Sequence, residues 1–296
     1  MSYAVLSCDL DTVDRHLQGY GFETGPCDLI YRTAVPRILE LLDELELPAV
    51  FFVIARDAEA QAPLLRSMAG VGHEIASHSL THPQPFRTLD DAALAHEVGE
   101  SRARLRAASG AEVAGFRAPA WDVDARVLRA VGDAGYRYDA STFPTPVLIA
   151  SRLAAYRRSA DKRSIFAMDL IGHAFAPTAP HPAAANGHGL VEFPVAVTPW
   201  LRLPVYHTLT YLVPHWLTRR TLRAALRSGA PLCYEFHAAD LLDLVADRVD
   251  VRLARHPGMQ VPLAAKRAAL RATLSTIAAA RRVITYAQAL EERLAA

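Results

Sequence analysis

Residues 71–83 read V-G-H-E-I-A-S-H-S-L-T-H-P, a short β-prone run that ends in two histidines four residues apart. If the segment turns helically there, His78 and His82 leave the same face and can close on one cation. Two imidazoles do not make a stable site, and the best source of a third ligand is C-D-L-D-T, which holds Asp9 and Asp11. Residues two apart on a strand point to one side, so one carboxylate can bind metal while its neighbour faces bound water. Asp, His, His with an open position is a hydrolytic-metal pattern. By themselves the same residues also read as surface or capping histidines and turn carboxylates.

Working outward, the chain alternates. An apolar run over 3–6 delivers Asp9 and Asp11 at its C-terminal end, where α/β sites are usually placed. Helical spacing over 34–45 precedes P-A-V-F-F-V-I-A, a fully buried strand. Another helix is expected over 58–69, then a strand opening at Gly72, then a long amphipathic helix over 89–107 whose charges form a solvated face. A-E-V-A-G-F-R-A-P-A-W is a strand running into a special loop, and 124–135 is a helix ending at glycine. V-E-F-P-V-A-V and A-P-L-C-Y-E-F-H are further strands, the second ending at His237, and helices follow over 261–280 and after Thr285. Strands alternating with amphipathic helices, with chemistry at strand ends, predict an α/β barrel, taken as one catalytic domain over 1–296.

The 296 residues, 51% of them hydrophobic, can bury one sizeable core. Lys and Arg number 32 against 31 Asp and Glu, so a formal charge of +1 supplies no global field for gathering nucleic acid, and that partner is set aside. Cys8, Cys27 and Cys233, without a C-x-x-C pair, predict reduced, packed thiols. A strand beginning almost at Met1 leaves no room for a leader, and no apolar run approaches a membrane span, so a cytoplasmic location is expected.

G-H-E-I-A-S-H-S-L-T-H resembles, over its whole length, the second motif of the NodB-homology polysaccharide deacetylases, the family 4 carbohydrate esterases. D-L-D at Asp9 and Asp11, G-F-R-A-P-A-W at Arg117, Y-R-Y-D-A-S-T at Asp139 and the strand ending at His237 are similar to the other four motifs. The resemblance implies the family's distorted (β/α)7-type barrel. It implies Asp11, His78 and His82 as ligands of a divalent metal, zinc first, with Co2+, Mn2+, Ni2+ or Fe2+ as alternatives. It makes Asp9 the general base, Arg117 its partner and His237 the general acid. A guanidinium beside a carboxylate base lowers that base's pKa and fixes its orientation; a surface ion pair is the alternative. Asp139 either orients the catalytic histidine, as in triad logic, or caps a turn. Pro119 stiffens its loop so that the Ala120 amide can serve as an oxyanion donor while Trp121 walls the pocket. The family's aromatic directly follows the proline; here it comes one residue later, and Leu10 separates aspartates that are usually adjacent.

Removal of an N-acetyl or N-formyl group from an amino sugar is the implied reaction, with a polyprenyl-phosphate-linked sugar as an attractive substrate. Hydrolysis of a non-sugar amide or cyclic imide, or a non-catalytic carbohydrate- or lipid-binding barrel, are the alternatives. D-R-H-L-Q-G-Y-G-F-E over 14–23 is expected to loop over the mouth, with His16 and Tyr20 facing substrate or solvent. Residues 150–186 read as a surface loop near the site, and His173, His181 and His188 are too irregularly spaced for a second metal. The segment 198–220 sets Trp200 and Trp216 among leucines and is bounded by Arg219, Arg220 and Arg223. That is the composition of a peripheral membrane contact, or of a helix packed on the barrel or a dimer face.

Overall fold

The computed structural model describes residues 2–147, 149, 170–183 and 189–295. Its sheet contains β1 (Tyr3–Asp9), β2 (Val50–Val53), β3 (Glu74–Ser77), β4 (Gly115–Phe116), β5 (Tyr138–Asp139), β6 (His181–Pro182), β7 (Val191–Glu192), β8 (Leu232–His237) and β9 (Arg282–Val283). The order is β6-β7-β5-β4-β3-β2-β1-β8, parallel throughout except at β6–β7, with β9 joined in parallel to the start of β1. The Ala196 amide donates to the Cys233 carbonyl at 2.9 Å, tying the chain beyond β7 to β8 at the far end of the order. The sheet therefore curls into a half-barrel. Parallel pairing puts the C-terminal ends of β1, β2, β3, β4 and β8 at one mouth.

The helices are α1 (Val13–Gly19), α2 (Val35–Glu44), α3 (Ala62–Gly70), α4 (Asp91–Ser109), α5 (Ala125–Asp133), α6 (Leu170–Phe175), α7 (His215–Arg227), α8 (Leu263–Ala280) and α9 (Tyr286–Leu294). Their ends follow local chemistry. Asp90 caps α4 by accepting from the Ala93 amide, and Gly110 ends it at φ 71°, a left-handed value that costs glycine little. Asp124 caps α5, and Thr285 with Gln288 forms a capping box on α9. Gly115 has a different necessity: a Cβ there would stand 1.8 Å from Cζ of Tyr138, whose hydroxyl is held by Glu74 at 2.8 Å.

Three local expectations are corrected. The stretch after Asp11 is helix α1, not an open loop, because Val13 and Leu17, one turn apart, bury together. The His78–His82 turn is not helical: Ser79 and His82 take φ of 64° and 59°. The Ser79 hydroxyl accepts the His82 amide, and the Glu97 carboxylate accepts the amides of Leu80 and Thr81. Glu97 is thus buried, although α4 was expected to carry only solvated charge. His73 has the structural role its place suggests, accepting the Ala49 amide and standing edge-on to Phe51. Most of the expected 150–186 loop, and His188 beyond it, lie outside the described residues, while His181 starts the edge strand β6. Residues 197–204 form a hairpin closed by the Val197–Pro204 bridge, and a 3-10 turn, His207–Tyr211, leads into α7.

Candidate active site

The register of β1 against β8 pairs Ser7 with Glu235 and Asp9 with His237. Alternation along both strands sends these four side chains to the same face of the sheet. Two residues beyond Asp9, the Asp11 carboxylate reaches the histidine turn: Oδ1 lies 3.3 Å from Nε2 of His78 and 3.1 Å from Nε2 of His82. His78 presents that nitrogen because its Nδ1 is engaged by the Arg117 carbonyl at 2.8 Å. Burial resists ionisation of Asp11, but the two imidazoles outweigh it and hold the carboxyl well below the usual range. Burial likewise opposes a charge on His78, and Asp9 and Asp11 reverse the balance.

The trio fits a divalent cation on three counts. Its donor atoms lie within 4.8 Å of one another. The donors are a carboxylate and two imidazoles, the borderline set that zinc and its first-row neighbours accept. Asp11 Oδ1 and His82 Nε2 are buried without a hydrogen-bond partner, a cost that a cation between them would remove.

Asp9 stands beside the trio, its Oδ2 3.9 Å from His78 Nε2. Its other oxygen is held by Arg117 Nη1 at 2.5 Å, while Arg117 Nη2 donates to Ser7 Oγ and Nε to the Ala140 carbonyl. The guanidinium also lies 4.0 Å above the Phe52 ring, so all its faces are satisfied although it is 1% exposed. Burial penalises this charge, yet Asp9 and then Glu235 raise the guanidinium pKa further.

His237, opposite Asp9 on the neighbouring strand, has Nε2 4.0 Å from Asp11 Oδ2 and 3.8 Å from Glu235 Oε1. Thr208 Oγ1 faces its Nδ1 at 3.4 Å. Burial disfavours the imidazolium, but Glu235, Asp9, Asp11 and Asp240 together raise its pKa. Glu235 is the residue the sequence reading passed over. It is fully buried, accepts from Trp121 Nε1 at 3.0 Å and lies 3.4 Å from Arg117. Burial raises its pKa against the pull of Arg117. Asp9, Glu235 and His237 converge as a second set of donors, but Arg117 already supplies a positive charge between the two carboxylates.

Asp139, expected to orient the catalytic histidine, has other partners. It accepts the amide and hydroxyl of Ser141 and faces Glu192; none of its contacts among the described residues is with His237. The cause is topological: β5 lies on the β6 side of the sheet, four strands from β1, whereas β8 flanks β1 directly. Asp139 instead organises the Arg117 loop through Ser141 Oγ, which accepts the Ala118 amide. In that loop Ala120 and Trp121 take φ of 54° and 55°, turning the indole toward Glu235 and against Phe143 and Tyr206. A cavity of about 190 Å³ opens beside the trio, reached by Asp11 and His82 and walled by Arg15, His16, Tyr20 and His256. His16 and Tyr20 therefore sit at the mouth, on α1 and at its end. Burial pushes His16 down to about 4, so its imidazole is neutral there.

Fold and site together define a curled α/β half-barrel with an Asp-His-His trio and an Arg-held aspartate at one mouth of the sheet. The family model described as polysaccharide deacetylase matches residues 14–138 of this chain, a span that includes His78, His82 and Arg117. Among curated relatives it is 40% identical over 62 residues to a chitooligosaccharide deacetylase of Sinorhizobium fredii, covering 21% of this chain and 27% of the relative. It is 25% identical over 142 residues to a peptidoglycan deacetylase of Helicobacter pylori, covering 45% and 47%. The matches thus span between about a quarter and a half of those relatives. A crystal structure from Mycobacterium smegmatis, provisionally described as a polysaccharide deacetylase, superposes with a TM-score of 0.64 at 20% identity, covering 98% of this chain and 88% of the other. The PuuE allantoinase superposes with a TM-score of 0.59 at 14% identity, covering 97% and 88%. At such identities the solved structures establish the fold alone.

Proposed function

We propose that this protein is a metal-dependent amide hydrolase that removes an N-acetyl or N-formyl group from an amino sugar. The observation that carries this reading is the convergence of Asp11, His78 and His82, with unpartnered atoms on Asp11 and His82, beside the paired Asp9 and His237. A zinc ion bound by the trio would supply Lewis acidity toward the amide carbonyl. Arg117 holds Asp9 Oδ1, which leaves Oδ2 to take the proton of an attacking water as the new C–O bond forms. His237, its pKa raised by surrounding carboxylates, gives a proton to the nitrogen as the C–N bond breaks. The amide of Ala120 in its left-handed turn is the proposed oxyanion donor, and Trp121 the wall against which the sugar packs. The products are a free amine and acetate or formate.

Support for the sugar comes from the curated relatives, whose printed activities are on chitooligosaccharide and peptidoglycan. A lipid-linked sugar is favoured by a separate observation: Trp216, on α7 with its arginines, is 66% exposed, and Trp200 in the 197–204 hairpin is 97% exposed. The test is acyl release from N-acetyl and N-formyl amino sugars, free and polyprenyl-phosphate-linked, by zinc-loaded protein beside Asp9→Asn and His78→Ala. Release by the wild type with both variants at least 100-fold slower is expected, since general base catalysis alone contributes roughly 100- to 10,000-fold. Zinc bound stoichiometrically with no sugar deacylated would end the sugar reading.

A further inference from the structure

Helix α7 reads H-W-L-T-R-R-T-L-R-A-A-L-R, with four arginines and no acidic residue, in a chain whose formal charge is only +1. Its inner face buries Thr221, Leu222, Ala225 and Leu226. Arg219, Arg220, Arg223 and Arg227 all lie on the exposed side, and none forms an ion pair among the described residues. Four exposed cations within nine residues repel one another, and with no carboxylate partner among the described residues they present a surface suited to a polyanion. Between α7 and α8 runs a groove of about 530 Å³, to which Arg219, Arg223 and His215 contribute from one wall and Thr273 and Thr276 from the other. Among the described residues no acidic side chain lines it.

Large apolar side chains are exposed on the same helix and its approach: Trp216 on α7 is 66% and Leu212 just before it 57% exposed. In the 197–204 hairpin Trp200 and Leu201 are 97% and 71% exposed. Indole and leucine beside arginine match the boundary between headgroups and acyl chains, where the rings insert while guanidinium forks take phosphate oxygens. A nucleic acid would engage the arginines and leave the leucines in water. We propose that this face docks on a bilayer surface rich in anionic lipid, with a headgroup phosphate seated between Arg219 and Arg223 in the groove.

The docking face adjoins the reaction site. Tyr206 lines the groove and also packs on Trp121; in the His207–Tyr211 turn, Leu209 and Thr210 face the groove while Thr208 faces His237. Docking would therefore bring the mouth of the half-barrel near the membrane. The inference goes beyond the proposed chemistry, and a binding measurement reads it whether or not any sugar is deacylated.

The experiment is sedimentation of the zinc-loaded protein with vesicles of phosphatidylcholine alone or with a quarter phosphatidylglycerol. The variants are Arg219→Gln/Arg223→Gln, Arg220→Gln/Arg227→Gln and Trp200→Ser/Trp216→Ser, each checked for an unchanged Tm. Binding to the anionic vesicles is expected, weakening as salt rises. It should fall on the order of 30-fold in the first variant, at about 1 kcal/mol per arginine, and less in the second, whose arginines do not line the groove. The tryptophan variant should also bind more weakly. Equal binding to both vesicle types, or wild-type affinity in the first variant, would overturn the membrane assignment. Equal losses in the two arginine variants would overturn the phosphate seat, and tighter binding to a DNA duplex than to anionic vesicles would reassign the face.

Discussion

Arg117 shows how one side chain can be committed to structure and chemistry together. It is buried against Phe52 and is the cation facing both Asp9 and Glu235, so its removal leaves two carboxylates in a dry site. Arg117→Met is expected to cost about 3–5 kcal/mol in urea unfolding, the range for breaking a buried pair. Arg117→Lys should recover part of that, but not the fork that spans Asp9, Ser7 and Ala140. A loss under about 1 kcal/mol for the methionine variant would mean that the carboxylates are already protonated. Glu192 makes the opposite case. Burial, and then neighbouring Asp139, push its carboxyl well above the usual range. A group raised on folding contributes stability that is whole below its unfolded value and is lost as pH climbs through its folded value. Wild type should therefore lose stability relative to Glu192→Gln as pH climbs above the usual carboxylate range, read as the difference in urea midpoint. A difference that stays flat as pH climbs would show that the Glu192 carboxyl is not held above that range.

At the scale of elements, what the sequence made legible was whatever sits at the end of a strand. Asp9, Asp11, His78 and His237 announce themselves because a buried apolar run stops at or just before each of them. Glu235 has the same facing as His237 two residues on, but a single acid inside C-Y-E-F-H carries no local sign that β8 will lie against β1. The Asp139 partner was illegible for the same reason, since strand order is not written in any one motif. Glu97 was hidden among the charges of α4, on a helix whose other acids, Asp91 and Glu100, form surface ion pairs. Its carboxylate fixes Leu80 and Thr81, between the two histidines, by accepting two amides and a hydroxyl. Glu97→Ala is expected to weaken zinc binding by roughly 10- to 100-fold, as loss of a ligand-orienting partner commonly does. Chelator competition would measure it, and Glu97→Gln, which keeps one acceptor, should fall between. Unchanged affinity in the alanine variant would show that the turn holds its left-handed residues unaided.

For the whole molecule, the site is assembled from segments far apart in sequence: Asp11 follows β1, the histidines follow β3, and His237 ends β8. A cation held there would join the first unit of the half-barrel to the third, and could not bind as a set in the unfolded chain. Ligand that binds only the folded state stabilises it by RT ln(1 + [L]/Kd), about 2.7 kcal/mol when free ligand is a hundred times Kd. Adding zinc to chelator-treated protein should therefore raise Tm by several degrees, at about 2–4 °C per kcal/mol for a chain near this length. His82→Ala removes one of the three donors and should abolish most of that rise. Because His82 is buried with an unpartnered Nε2, the same exchange should cost the metal-free protein less than it costs the zinc-loaded one. The two Tm differences close a cycle from which the coupling between the imidazole and the ion is read directly. If zinc shifts wild type and His82→Ala equally, the ion is bound elsewhere, and the trio would be a hydrogen-bonded cluster whose chemistry must be sought without it.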